Sequence, residues 1–165
     1  MQYESVDRHS LDLFGDVGKV REVAVRITDR KAQKAIDHPR VQIASPSDAY
    51  EIFWPYFRHL PAEHFLVAML NTANVLTDYV VHTVGGLASS IVEPRAIFQA
   101  AILCNANSII LMHNHPSGNP EPSREDIKIT RQITEAGKLL GIPVYDHIIM
   151  TYQGHTSLAE RNLLR

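Results

Sequence analysis

The sequence predicts an α/β (α+β) fold, a mixed β-sheet flanked by helices. Three observations predict it. "HFLVAML" and "SIILM" are continuous apolar runs of strand length, as expected for strands covered on both faces. Helical patterns with start and stop signals interleave with these runs. "SREDIKITRQITEAGKLLG" sets Ile129, Ile133, Ala136 and Leu140 on one apolar stripe, with Lys128, Arg131, Gln132, Glu135 and Lys138 facing away.

With 165 residues, 45% of them hydrophobic, the chain has material for one domain and an extra arm. The expected arm is 1–44. It holds one strand candidate, "KVREVAVRIT", in which Val23, Val25 and Ile27 alternate; "DRKAQKAIDHPR" follows as a polar loop or short helix. The expected main domain is 45–165. Its first helix starts in "SPSDAYEIFWPYFRHL", capped by Ser45 or Ser47, with Pro46 in its first turn. Pro55 is expected to end or kink it. Trp54, Tyr56 and Phe57 read as core or loop-packing aromatics. The strand His64 to Leu70 is followed by "VLTDYVVHTVGG", a second strand, with "NTAN" as a hairpin connection and Gly85-Gly86 as a break. "EPRAIFQAAILCNA" is a helix with Pro94 in its first turn. "SIILM", Ser108 to Met112, is the next strand; the amphipathic helix after it stops at Gly141. "IPVYDHIIMT" is a last strand, with a short terminal helix expected beyond it.

Composition narrows the function classes. A net charge of −2, with nine histidines counted neutral, does not point to a phosphate-binding surface for nucleic acid, although it leaves room for a local basic patch. No apolar run approaches the ~18 residues of a membrane span. "MQYESVDRHS" is polar and acidic, unlike a secretory signal, so a cytoplasmic protein is expected. Cys104 is the sole cysteine, which leaves neither an internal disulfide nor a cysteine-based zinc site.

The stretch "LMHNHPSGNPEPSREDIKIT" carries the chemistry. Residues two apart on a strand share a face, so His113 and His115 leave the strand on the same side. Strand ends feeding loops are where α/β proteins usually build sites. "PSGNPEP" has three prolines, which make it stiff, and it delivers the chain to a helix start at Ser123. Asp126 lies in that first turn and can point back at the histidines. Two imidazoles and one carboxylate make a three-ligand set with one open position, as a catalytic zinc requires. On spacing alone, a metal site and a structural pair of histidines remain equally open. Ser123 with Asp126 also matches a helix cap with an acidic residue at its third position, the better reading of those two residues by themselves. The serine can cap and catalyse; the aspartate is expected to do only one of its two jobs well. Asp146-His147 reads as a strand-end pair packed near the sheet, because nothing in its spacing completes a ligand set.

His113, His115, Ser123 and Asp126, spaced His-x-His, seven residues, Ser, two residues, Asp, resemble the JAMM (MPN-plus) metalloprotease signature. "HNHPSGNPEPSREDIKIT" and the later "DHIIM" are similar to its bacterial RadC-type branch, and the likeness runs from about Ser45 to the C-terminus. The resemblance implies a JAB/MPN architecture, cytidine-deaminase-like in layout. It implies Zn2+ held by His113, His115 and Asp126, and cleavage of a peptide or isopeptide bond in a protein or peptide substrate. It implies Glu63 as general acid/base, with Glu93 the weaker candidate, and the Ser123 hydroxyl as oxyanion donor. A link to DNA repair comes with the branch. The chain departs from the branch where Glu93-Pro94-Arg95-Ala96 replaces His-Pro-Arg-Glu, and the helix-hairpin-helix region that precedes the domain in full-length members is not evident in the arm.

Two other function classes compete. One is a catalytically silent scaffold or binding module in DNA repair or mobile-element biology. The other is a nuclease, which the string "HNH" invites; a true His-Asn-His nuclease spreads those residues over a hairpin and a helix. A zinc deaminase needs a Cys-x-x-Cys pair that one cysteine cannot supply.

Overall fold

The computed structural model describes residues 41–84 and 92–165. The arm's strand candidate, the "DRKAQKAIDHPR" segment and the Gly85-Gly86 break lie outside the described residues. The described elements are α1 (Pro46–Phe57), β1 (His64–Leu70), β2 (Leu76–Val84), α2 (Pro94–Leu103), β3 (Ser108–Asn114), α3 (Arg124–Leu140), β4 (Val144–Thr151) and β5 (Gly154–Ser157). The strands form one sheet in the order β2-β1-β3-β4-β5. β1 pairs antiparallel with β2 and β3, β3 pairs parallel with β4, and β4 pairs antiparallel with β5. This is the mixed sheet with helices that the sequence predicts.

Strand parity sorts the core. Leu66, Ala68 and Leu70 of β1, Ile110 and Met112 of β3, and Ile148 and Met150 of β4 pack with Ala49, Ile52, Phe53 and Phe57 of α1. The alternate residues Phe65, Val67 and Met69, with Ile109 and Leu111, pack with Ile97, Phe98 and Ala101 of α2 and Ile133 of α3. Each of these large apolar side chains contributes roughly 1.5–3 kcal/mol when fully buried. The same alternation continues to the end of β3. His113 keeps the parity of Ile109 and Leu111, and Asn114 takes the other. Asn114 instead braces the approach to β1, its Oδ1 accepting from the His64 N–H at 2.8 Å and its Nδ2 donating to the Ala62 carbonyl at 3.2 Å.

Local chemistry explains most boundaries. Ser45 is the cap of α1: its Oγ accepts from the Asp48 N–H, while Asp48 Oδ2 accepts from the Ser45 N–H at 2.8 Å. In the β1–β2 connection the Asn71 side chain accepts from the N–H groups of Ala73 and Val75, and Asn74 takes the left-handed conformation with φ 56°.

Three expectations change. Pro55 does not end α1; the helix continues to Phe57. The bond Pro55 cannot donate would have gone to Glu51, and both residues are exposed, so the missing bond leaves no buried group unpaired. The buried face of α3 is Asp126, Thr130, Ile133, Thr134 and Gly137, with Ile129 and Ala136 at its margin and Leu140 49% exposed. The helix end is turned by close packing at Gly137, where a Cβ would stand 2.5 Å from the Ile142 carbonyl oxygen and 3.1 Å from the Phe98 ring. The tail forms a strand, β5, rather than a terminal helix. Thr151 Oγ1 donates to the Gly154 carbonyl and accepts from the Gln153 N–H, closing a tight turn that pairs β5 with β4.

Candidate metal centre

His113 is the last but one residue of β3, and its imidazole follows Leu111 onto the side of the sheet that α3 covers. His115 is one residue beyond β3, and its N–H donates to the Met150 carbonyl, so it still tracks β4. The loop then folds back on it. Gly118, at φ 80°, returns its N–H to the His115 carbonyl, and the Asn119 carbonyl reaches 2.7 Å from His115 Nδ1. Left-handed geometry suits glycine here, and the Tyr152 ring fills the space a Cβ would need.

Ser123 caps α3. Its Oγ accepts from the Asp126 N–H at 3.0 Å, and Asp126 Oδ2 accepts from the Ser123 N–H at 2.7 Å. The same carboxylate faces the histidines, with Oδ1 3.3 Å from His113 Nε2 and Oδ2 3.6 Å from His115 Nε2. Asp126 thus caps the helix and faces the histidines at the same time, two placements that the sequence reading treats as exclusive. A carboxylate has two oxygens and about four lone-pair directions, enough for a cap and for a pair of imidazoles.

The two Nε2 atoms lie 2.9 Å apart. A carbonyl only accepts, so His115 Nδ1 carries a proton, and in the neutral imidazole its Nε2 is a bare lone pair. His113 Nε2 points at the same place. Close approach of such nitrogens is favourable only with a cation or a shared proton between them. An ion with bonds of roughly 2.0–2.2 Å in tetrahedral geometry spreads its ligand atoms about 3.4 Å apart. With one atom from each residue, the donors of His113, His115 and Asp126 lie within 4.8 Å of one another, close enough to share an ion. His113, His115 and Asp126 are the one group of this kind among the described residues.

The electrostatics agree with the donor set. Burial works to raise the Asp126 pKa, but the His113 and His115 imidazoles, which can bond to it whenever an Nε2 carries a proton, and the Ser123 cap hold it far below the ordinary carboxylate range. Burial works to lower the His115 pKa, but the bonds to Asp126 and to the Asn119 carbonyl, with the Asp126 and Glu63 charges, leave it raised.

The centre opens onto a cleft of about 340 Å³ lined by Glu63, His115, Asn119, Ser123, Glu125 and Asp126 among others. Glu63, just before β1, is on this cleft. Glu93 is not among its lining residues; it begins α2 and pairs with Arg95 at 3.3 Å. Glu121 lines the cleft too, tethered to Arg161 of the tail at 2.7 Å.

A sequence model of the RadC-like JAB domain matches residues 43–163. The chain belongs to this family. Relatives of this RadC-like JAB domain carry the description UPF0758 protein. One from Salinibacter ruber is 56% identical over 126 residues, covering 76% of the chain and 54% of the relative. One from Methanosarcina acetivorans is 40% identical over 152 residues, covering 90% of the chain and 66% of the relative. One from Symbiobacterium thermophilum is 44% identical over 125 residues, covering 76% of the chain and 53% of the relative. The RadC-like chain therefore spans between about half and two thirds of the length of these curated relatives.

The sequence reading misses the histidine behind the centre. His147, in β4, is fully buried, and its Nε2 lies 2.8 Å from His113 Nδ1. It is no idle strand-end residue: the parallel pairing of β3 and β4 brings it behind His113. Its neighbour Asp146 is structural, accepting from Ser157 Oγ at 2.6 Å and from the N–H groups of His147 and Ala159. The signal that could have found His147 is a histidine at the head of an apolar run, "HIIM"; in the structure it meets Thr130 on the buried face of α3.

Proposed function

We propose that this domain is a zinc-dependent hydrolase of the JAMM type that cleaves a peptide or isopeptide bond. The observation that carries the reading is the convergence of two imidazole Nε2 atoms and one carboxylate at the wall of an open cleft. His113, His115 and Asp126 would hold the ion, and the donor set suits zinc among common metals. When bound, zinc supplies Lewis acidity to a scissile carbonyl and lowers the pKa of water.

The chain's own residues do the rest. Glu63, on the cleft, takes a proton from the attacking water and returns one to the leaving amine. Ser123 Oγ is already an acceptor for the Asp126 N–H, so its own hydrogen is free to donate to the developing oxyanion. The Asn119 carbonyl holds His115 in the tautomer that keeps Nε2 bare. Asp126 is favoured as a carboxylate by the Ser123 N–H donating to its Oδ2, and a bound cation would favour that charged form further.

The test is metal content followed by turnover. Purified protein should carry close to one zinc per chain and cleave amide bonds in a library of unstructured and lysine-branched peptides. Glu63→Gln should keep the zinc and lose the cleavage. Zinc in the wild type with no cleavage of any amide would leave a binding module in place of an enzyme; absence of zinc would remove the proposal altogether.

A further inference from the structure

Behind the candidate centre runs a buried polar chain that the proposed chemistry does not consume. His113 Nδ1 is 2.8 Å from His147 Nε2, His147 Nδ1 is 2.5 Å from Thr130 Oγ1, and Thr130 Oγ1 donates to the Asp126 carbonyl at 2.5 Å. The protons in this chain have one consistent order. A carbonyl oxygen has no hydrogen, so the Thr130 hydroxyl commits its single hydrogen there. Its oxygen then faces His147 as an acceptor, and the N–H of His147 sits on Nδ1. A neutral imidazole carries one N–H, so His147 Nε2 is a lone pair. It accepts from His113, whose N–H is therefore on Nδ1. That leaves His113 Nε2 bare, facing His115 and Asp126.

We propose that Thr130 and His147 are positioning residues that lock His113 in the tautomer whose Nε2 lone pair faces the metal centre. The proposal rests on the metal reading above for its consequence, but the proton order itself does not. α3 then acts twice: Asp126 enters the centre, and Thr130, one turn on, sets the far end of the imidazole pair. Both sites of action are buried, so no water competes for the order. The polar Thr130 on the face of α3 that covers the sheet has this as its reason.

Removing the hydroxyl undoes the order. In Thr130→Val the Nδ1–H of His147 meets a methyl group. Moving that proton to Nε2 relieves the mismatch, but it then points at His113 Nδ1 and drives the His113 proton onto Nε2, into the centre. Outer-shell changes of this kind typically cost ~10–100-fold in metal affinity.

The experiment uses the full chain as wild type, Thr130→Val and Thr130→Ser. Zinc alone is competed against a chromophoric chelator, and long-range ring nitrogen–proton NMR on the metal-free wild type reads the His147 tautomer. The expected result is His147 protonated at Nδ1, affinity lowered ~10–100-fold in Thr130→Val, and recovery to within about threefold in Thr130→Ser. Unchanged affinity in a Thr130→Val protein that retains its circular dichroism overturns the proposal. So does His147 protonated at Nε2, a measurement that decides even if the valine variant fails to fold. Failure of the wild type to take up zinc would instead strike the metal reading, with the NMR result still judging the proton order.

Discussion

Replacing Asp126 by asparagine separates the two jobs of this side chain. The new amide oxygen retains an acceptor for the Ser123 N–H, which in the wild type lies 2.7 Å from Oδ2, so the cap survives. What is lost is the negative charge and the Oδ1 that faces His113 Nε2 at 3.3 Å; the retained amide oxygen stands where Oδ2 was, 3.6 Å from His115 Nε2, but is neutral. Asp126→Ala loses both. In chelator, the asparagine variant should lie within about 1 kcal/mol of wild type, while the alanine variant loses roughly 1–2 kcal/mol for the missing cap. With free zinc at roughly a hundred times the wild-type Kd, wild type gains about 2.7 kcal/mol. At about 2–4 °C per kcal/mol for a domain of this size, its melting temperature rises by roughly 5–10 °C. A lost ligand weakens binding by at least ~100-fold, so at the same zinc concentration either variant gains no more than about 0.4 kcal/mol, or ~1–2 °C. Differential scanning fluorimetry of the three proteins, each in chelator and in zinc, reads all of these values. Equal zinc-induced shifts in wild type and Asp126→Asn would refute the reasoning, leaving the aspartate as a helix cap and nothing more.

Other outcomes follow from the same geometry. In metal-free protein His115 has a raised pKa, so its protonated form is favoured by folding; that stability is complete below the unfolded value of about 6.5 and is lost as pH rises through the folded value. The melting-temperature advantage of wild type over His115→Gln in chelator should therefore shrink from about pH 6 to about pH 8, whereas the zinc-induced shift of wild type should grow over that range as protons cease to compete for Nε2; parallel curves would argue against the His115–Asp126 pairing. Ser123→Ala should lower kcat against any cleaved peptide ~100–1000-fold while costing only about 1 kcal/mol of stability, read by steady-state kinetics beside thermal melts. Gly137→Ala gains about 1 kcal/mol of helix propensity but drives a Cβ to 2.5 Å from the Ile142 carbonyl, and overpacking of about 1–3 kcal/mol should leave it net less stable; a raised melting temperature would contradict that packing.

The parts of this fold legible in the sequence are those set by local chemistry. Ser123 announces a cap by its spacing to Asp126, the α1 cap is narrowed to Ser45 or Ser47, of which the structure uses Ser45, and Gly141, at φ 71°, announces the end of α3. The apolar run His64 to Leu70 coincides with β1 because its length is that of a strand and both of its faces are covered, one by α1 and the other by α2 and α3. Long-range geometry is what escaped. His147 stands 34 positions from His113, and only the parallel β3–β4 pairing, which no local pattern encodes, sets one behind the other. Leu140 completes an apolar stripe on paper yet is exposed, because Gly137 fixes how closely the helix end approaches Phe98 and Ile142. Thr130 and Thr134 look like breaks in that stripe; for Thr130 the break is a bond to His147. The choice between cap and ligand for Asp126 dissolved once both carboxylate oxygens had positions.

The β3–α3–β4 segment supplies His113, His115, Asp126, Thr130 and His147, whereas Glu63 reaches the cleft from the other neighbour of β3. Under the proposed hydrolase reading, ion capture and proton transfer would fall to two stretches of chain joined chiefly along the β1–β3 seam. Loosening that seam should then silence turnover while leaving the cation in place. On that reading, a bare metal carrier and a working peptidase would differ by how one strand is docked and by the acidic residue at its mouth.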